Sequence, residues 1–281
     1  MVGSGGADKS VTAPRPVALV TGASSGIGEV FARRLSEKGY HLVLVARRRE
    51  RLEKLAAELP SAEALPADLT LDSDLLKIEH YIAAEQRLEF LVNNAGFGVP
   101  GVYHDADVDA QDRMHRLHIL AIGRLTHAAL RSMVGRSKGN IINVSSVAGF
   151  LQAPFSISYN ASKAWINSFT TGLFLELKSI RSPVRIQALC PGFTRTEFQD
   201  TAGVDRETIP KSLWMSAEEV VDTSLRSLER DKLIVVPGWR YRLFLTAIGI
   251  LPQSCRRFLA IKYSNSSRKL GSDKNRSSAI H

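Results

Sequence analysis

The stretch Pro16–Leu35, PVALVTGASSGIGEVFARRL, decides the fold. Val17 to Val20 read as a buried strand, because they are consecutive, apolar and partly β-branched, while Ile27, Val30, Phe31 and Leu35 recur at helical spacing. Gly22, Gly26 and Gly28 fall where the strand gives way to the helix. Glycine there permits a tight turn and lets backbone N–H groups and the helix N-terminus approach a phosphate. The spacing is Gly-x-x-x-Gly-x-Gly, which differs from the common Gly-x-Gly-x-x-Gly. A glycine cluster alone equally marks a plain turn; the strand before it and the helix after it favour phosphate binding.

The same alternation continues outward. Strands are predicted at Val17 to Gly22, His41 to Ala46, Glu63 to Ala67, Phe90 to Asn93, Asn140 to Val144, Arg185 to Leu189 and Lys232 to Val236, with helical segments between them. Strands alternating with helices indicate a parallel sheet. The 281 residues, 44% of them hydrophobic, suffice for one α/β core. The fold class expected is α/β, a Rossmann-like doubly wound parallel sheet of seven strands in a single domain spanning 17–238. Residues 1–16, rich in Gly, Ser, Ala and Pro with no apolar run, read as a flexible arm and not a signal peptide. Two cysteines, Cys190 and Cys255, give no disulfide framework and point to a reducing cytoplasm.

A second chemical signal is Tyr159-Asn160-Ala161-Ser162-Lys163. Residues four apart share a helix face, so a phenol and an ammonium reach one small site. A free tyrosine has a pKa of about 10, far above the range where proton transfer near neutrality works best. Lowering it by roughly three units takes about 4 kcal/mol of differential interaction. A nearby cation supplies roughly one to three units, so Lys163 needs help, for example from a positively charged oxidised cofactor.

These two motifs, with NNAG at Asn93 to Gly96, INVSS ending at Ser146, and CPGFTRT from Cys190 to Thr196, resemble the short-chain dehydrogenase/reductase family over Pro16 to Gly238, in the family's order and spacing. The resemblance implies an oxidoreductase acting on CH–OH groups, in which hydride passes between nicotinamide C4 and a carbonyl carbon. Tyr159 is then the general acid and base, Lys163 binds the nicotinamide ribose and lowers the tyrosine pKa, and Ser146 hydrogen-bonds the substrate carbonyl; Ser145 fits the spacing less well. The family's usual asparagine, whose local geometry holds a water in a relay to the lysine, is matched by His118. That departure leaves open whether His118 joins the relay as a catalytic residue or packs, and motivates a second reading as a catalytically weak NADP-binding sensor. His115 and His127 read as structural or exposed, and no metal site is expected.

Cofactor-binding positions carried over by motif are Gly22, Ser24, Ser25, Gly26, Ile27 and Gly28 at the phosphates; Asp68 and Leu69 at the adenine; and Asn93, Asn94, Ala95 and Gly96 at the adenine ribose. Tyr159, Lys163, Pro191, Gly192, Thr194 and Thr196 follow at the nicotinamide end. An NAD enzyme carries an acid at the end of the second strand, whereas arginine accommodates a 2'-phosphate. Here Ala46 is followed by Arg47, Arg48 and Arg49, with no carboxylate before Glu50. Arg47 matches the family position that contacts the phosphate, and a charge-assisted hydrogen bond contributes about 1.5–3 kcal/mol. NADP, as NADPH in the reductive direction, is the cofactor expected.

The substrate expected is a moderately apolar ketone or secondary alcohol. Phe198, Ile209 and Trp214 are candidate pocket walls, Phe150, Leu151 and Phe155 a candidate floor, and no charged anchor stands out. A homodimer or homotetramer is expected through the helices around Asp112 to Met133 and Tyr159 to Lys178.

Charge is uneven. Of the net +9, eight charges fall after Pro237, nine basic residues against Asp273 alone. The apolar run Leu243 to Leu251 is too short to span a bilayer as a helix. The extension 239–263 therefore packs on the body with a solvated basic end, lies on an anionic membrane, caps the pocket, or meets a partner subunit. A membrane-peripheral scaffold is the third reading. No nucleic-acid motif accompanies the basic charge. Residues 264–281 are polar and expected to be disordered.

Overall fold

Five consecutive buried residues, Val17–Thr21, form β1, and the chain leaves the sheet at Gly22, whose φ of 67° lies in the left-handed region open to glycine. Around β1 the computed structural model, which describes residues 14–198 and 209–262, builds one seven-stranded parallel sheet. The strands are β2 His41–Ala46, β3 Ala62–Pro66, β4 Leu88–Asn93, β5 Asn140–Val144, β6 Arg185–Leu189 and β7 Ile234–Val235, in the order β3-β2-β1-β4-β5-β6-β7. All six pairings are parallel.

Central strands of such a sheet are covered on both faces, which is why β1 and β2 read as near-continuous apolar runs. Ala18, Val20, Leu42, Leu44, Val92 and Ile142 turn to one side. There they meet α1 (Gly26–Glu37), α2 (Arg49–Glu58) and α7 (Ala217–Glu229). Val17, Leu19, Val43, Val45, Leu91 and Ile141 turn to the other, against α3 (Asp72–Ala84), α5 (Ile122–Gly135) and α6 (Ile157–Ser179). The α5 segment continues from α4 (Val108–His115) through a π-helical stretch, Arg116–Ala121. Helix α8 (Trp239–Ile250) and a helix over 253–262 follow β7.

Each expected strand is present. β4 begins two residues earlier than its apolar run suggests, because Glu89 interrupts the pattern, and β7 contracts to two residues at a sheet edge where only β6 pairs with it. The expected arm at 1–16 and tail at 264–281 lie outside the described residues for all but 14–16. Strand order reverses between β1 and β4, so a crevice opens at their carboxyl ends, beside Gly22 and Asn94.

Candidate active site

The glycine turn is closed to anything larger. A Cβ on Gly28 would lie 2.3 Å from the Gly22 carbonyl oxygen and 2.5 Å from Asn94 Nδ2, and one on Gly22 would meet Ala95 Cα at 2.9 Å. Asn94 locks this turn to β4: its Nδ2 donates to the carbonyls of Thr21 and Gly22 at 3.0 and 3.2 Å, and its N–H donates to Thr21 Oγ1 at 3.0 Å. Ser25 is the N-cap of α1, yet its side chain makes no capping hydrogen bond and instead accepts from Arg48 Nη2 at 2.7 Å. The first N–H groups of α1 are thus left without a side-chain cap, the arrangement that receives an anion.

Asn93 departs from its expected place at the ribose. Its side chain is buried and donates from Nδ2 to Thr126 Oγ1 at 3.0 Å and Asn143 Oδ1 at 2.8 Å, in a polar chain that continues from Asn143 to Thr170. Leu69, expected at the adenine, is 5% exposed and packs with Leu75 and Ile78 in the core. Asp68 stays at the crevice, accepting from the Thr70 N–H and hydroxyl, with Arg47 Nη1 4.0 Å from its Oδ2.

The arginine run divides its labour. Arg47 is largely exposed. Arg48 turns onto the glycine turn, donating to Ser24 Oγ from Nε at 3.2 Å and from Nη2 at 3.0 Å, and from Nη1 to Glu197 Oε2 at 2.7 Å. Three neighbouring arginines look alike as letters; only the turn from β2 into α2 decides which one reaches the serines.

Ser146, Tyr159 and Lys163 are brought together. Lys163 Nζ lies 5.6 Å from the Tyr159 ring centroid, and the Ser146 hydroxyl, which accepts from the Ala148 N–H at 3.1 Å, is the side chain that bears on the phenol's ionisation. Ser145 points elsewhere, donating to the Lys163 carbonyl at 2.9 Å. Lys163 is buried and donates to the Val144 carbonyl at 3.0 Å. Burial dominates both ionisations: it pushes the phenol up to about 12, opposed by the nearby Ser146 hydroxyl, and brings the lysine down to about 8. The lowered phenol that the family resemblance implies is therefore not supplied by the lysine in this structure: desolvation dominates the phenol, and Ser146 is the group that opposes it.

His118 lies in the π-helical stretch, a backbone irregularity frequent at functional sites. It is fully buried; Nδ1 pairs with Ser162 Oγ at 2.9 Å, and Nε2 accepts from the Phe97 N–H at 3.3 Å. That acceptor role assigns the proton to Nδ1. Burial first, then the Lys163 charge, hold the imidazole well below its usual pKa. The histidine is therefore neutral near pH 6.5 in the folded state. A methyl group on Gly96 would sit 2.7 Å from His118 Nε2 and 3.7 Å from Lys163 Nζ, so Gly96 lies between the two side chains.

Thr196 lies against Gly26, where a Cβ would meet its Cγ2 at 2.8 Å, and the Phe198 ring is 5.9 Å from that of Tyr159. Pro191 accepts from Ser146 at 3.5 Å, and Thr194 is buried, donating to the Gly192 carbonyl. Tyr241 of α8 escapes sequence reasoning. Its hydroxyl accepts from the Phe193 N–H at 2.9 Å and donates to the Leu213 carbonyl at 2.7 Å, and a Cβ on Gly192 would fall 2.1 Å from its ring. Of the candidate pocket walls, Phe198 stands beside the phenol and Trp214 packs 5.7 Å from Phe193. Phe150 instead lines a groove with Ala164, Ser168 and Ile234, on a face of α6 turned away from Tyr159. Among the described residues no cluster of His, Cys, Asp and Glu suits a metal ion.

The family model described as short chain dehydrogenase matches residues 16–207. An uncharacterized oxidoreductase of Staphylococcus epidermidis is 36% identical over 226 residues, covering 78% of this chain and 94% of that protein. A short-chain dehydrogenase from Sphingobium yanoikuyae, solved in complex with NADPH, superposes with a TM-score of 0.76 at 35% identity, over 85% of this chain and 96% of its own. The bulky-bulky ketone specific alcohol dehydrogenase from Comamonas testosteroni does so with 0.71 at 32%, over 85% and 95%.

Proposed function

This chain belongs to the short-chain dehydrogenase/reductase family of oxidoreductases, and from that premise we propose that it is an NADPH-dependent enzyme interconverting a moderately apolar ketone and its secondary alcohol. The observation that carries the reading is the convergence of Tyr159 and buried Lys163, with Gly96 against Lys163 and Ser146 acting on the phenol's ionisation, in a fold whose glycine turn is too tight for any side chain. The cradle fits a nicotinamide dinucleotide: Gly22, Gly26, Ile27, Gly28 and the uncapped start of α1 would take the pyrophosphate, and Asn94, Ala95 and Gly96 would border the ribose. Arg48 with Ser24 and Ser25 would take the 2'-phosphate, with Arg47 and Asp68 at the adenine; Pro191, Gly192, Thr194 and Thr196 would edge the nicotinamide. When bound, the cofactor supplies the hydride. Ser146 donates a hydrogen bond to the substrate carbonyl oxygen, which orients it, and Tyr159 gives that oxygen its proton. With the phenol held near 12, Tyr159 is protonated across the neutral range and suits reduction. Phe198, Trp214 and Phe193 provide apolar walls without a charged anchor.

Arg48→Ala tests the cofactor. NADPH affinity should fall by about ten- to two-hundredfold, the loss of one or more charge-assisted hydrogen bonds, with NADH nearly unchanged, as read by titration of nicotinamide fluorescence. Equal losses would reduce the arginines to a solvated face.

His118 acts as a positioning residue in this reading, pinning Phe97 and Ser162 around Lys163. Because its folded pKa is depressed, the unfolded chain takes up a proton that the native state refuses. Stability is therefore intact above the unfolded pKa of about 6.5 and declines as pH falls below it. His118→Asn should flatten this decline between about pH 7 and 5 in thermal melts and keep most activity, while His118→Leu should flatten it too but lose turnover. A Leu variant as active as the parent, at matched folded fraction, would remove His118 from the site.

Assembly as a homodimer or homotetramer is proposed through α5 and α6, where Trp165 stacks on Phe169 at 4.6 Å and Leu175 is 61% exposed. One further observation favours a peripheral membrane contact. Residues 237–262 carry five basic side chains and no acid, and they expose Trp239, Leu243, Phe244, Ile250, Phe258, Leu259 and Ile261. A second copy of this segment would bring like charge to like charge, whereas an anionic lipid surface complements it. No helix among the described residues is long and apolar enough to cross a membrane, so the contact would lie in the interface. The protein should co-sediment with vesicles containing phosphatidylglycerol and not with pure phosphatidylcholine, and Arg256→Glu with Arg257→Glu should weaken that binding. Equal recovery with both vesicles, or with neither, would refute it.

A further inference from the structure

Glu197 holds the donors that an incoming phosphate would need. Arg48 Nη1 donates to its Oε2 at 2.7 Å, and Arg51 Nη1 donates to Oε1 at 2.7 Å and to Oε2 at 2.9 Å. The other edge of Arg48, Nε and Nη2, is engaged by Ser24 and Ser25 of the glycine turn. One carboxylate therefore sits between two guanidinium groups, the arrangement that recognises carboxylate and phosphate alike. Its position is fixed from both sides: Thr196 lies on Gly26, and the Phe198 ring is 5.9 Å from that of Tyr159. The two arginines, Arg48 first, also keep the Glu197 carboxyl below its usual range, so it stays charged at neutral pH.

Resting on the reading of Arg48 as a phosphate ligand, we propose that Glu197 is an internal competitor for the 2'-phosphate of NADPH. It occupies the arginine pair in the free protein, must leave when the phosphate arrives, and thereby sets how strongly this chain prefers NADPH over NADH. A 2'-phosphate carries roughly −1.5 to −2 charges at neutral pH, by analogy with other phosphate monoesters, and cannot share one Nη1 edge with a carboxylate without strong repulsion. NADH presents a neutral hydroxyl at that place and meets no such competition. A ligand whose site is open for only a fraction of the time binds more weakly by that fraction. The clasp is about half exposed, with 44%, 49% and 50% of the Arg48, Arg51 and Glu197 side chains accessible. Exposed ion pairs are modest, so the effect expected is about three- to tenfold.

The test compares the full-length parent with Glu197→Gln, which keeps the shape and removes the charge at an exposed position, after thermal melts have confirmed matched folding. Dissociation constants are measured for NADPH and NADH, and for 2',5'-ADP and 5'-ADP, which carry the distinguishing phosphate without the nicotinamide. The expected result is about three- to tenfold tighter binding of NADPH and 2',5'-ADP by the variant, with NADH and 5'-ADP within about twofold of the parent. Unchanged or weaker NADPH binding would overturn the proposal, the latter assigning Glu197 to the support of Arg48, and so would an equal gain for both cofactors. Arg48→Ala separates the levels. If it spares the NADPH preference, the phosphate reading falls and the proposal with it; if it abolishes the preference while Glu197→Gln changes nothing, the competitor alone falls.

Discussion

Tyr159→Phe is expected to lower turnover by about 10²- to 10⁴-fold while cofactor affinity stays within a small factor of the parent. The change deletes one oxygen and keeps the ring, so the edge-on contact with His118 at 5.9 Å and the tilted contact with Phe198 persist. What disappears is the phenolic proton that the proposed mechanism delivers to the substrate oxygen. Neither neighbour replaces it: the Ser146 hydroxyl has a far higher pKa, and Lys163 Nζ is committed to the Val144 carbonyl, 5.6 Å from the ring centroid. Steady-state turnover and cofactor titration on the same preparation check this, and near-parental turnover would sink the assigned role of the tyrosine.

Gly28→Ala is expected to act on binding and on the fold together. Gly28 needs no left-handed backbone, so the effect is purely one of space: the new methyl would press on the Gly22 carbonyl oxygen at 2.3 Å and on Asn94 Nδ2 at 2.5 Å. Both belong to the turn, and Asn94 ties that turn to Thr21, so relief requires β1 and β4 to part where the crevice opens. Overpacking of this kind costs about 1–3 kcal/mol, or a melting temperature lower by roughly 2–10 °C in a chain of this size. Because the displaced atoms form the cradle itself, NADPH affinity should drop by more than about tenfold, and a variant that binds and melts like the parent would mean that the cradle is looser than its geometry indicates.

The parts legible in the sequence are those set by local chemistry. Val17 to Gly28 carries strand, turn and helix within twelve letters, and the apolar run of β2 fixes its own ends. Ser146, Tyr159 and Lys163 follow from motif spacing; in the structure Ser145 is turned to the Lys163 carbonyl, while Ser146 is the serine that bears on the phenol. What the letters hide is direction and distance in space. Asn93 and Asn94 are adjacent and identical, yet strand alternation sends one into a core polar chain and the other onto the glycine turn. Arg48 and not Arg47 meets the serines, because the turn from β2 into α2 aims it there. Tyr241 reaches Phe193 across 48 positions and Glu197 reaches Arg48 across 149, contacts for which no periodicity exists to be read. The raised phenol is equally invisible, since it depends on burial contributed by several elements at once.

The most direct measurement of the central claim uses NADPH carrying deuterium on the transferring face of nicotinamide C4, incubated with the parent protein and a panel of apolar ketones, the products being read by mass spectrometry. The account predicts a secondary alcohol with deuterium on its carbinol carbon from the parent and almost none from Tyr159→Phe. A protein that binds NADPH yet transfers no label to any ketone of the panel would contradict it.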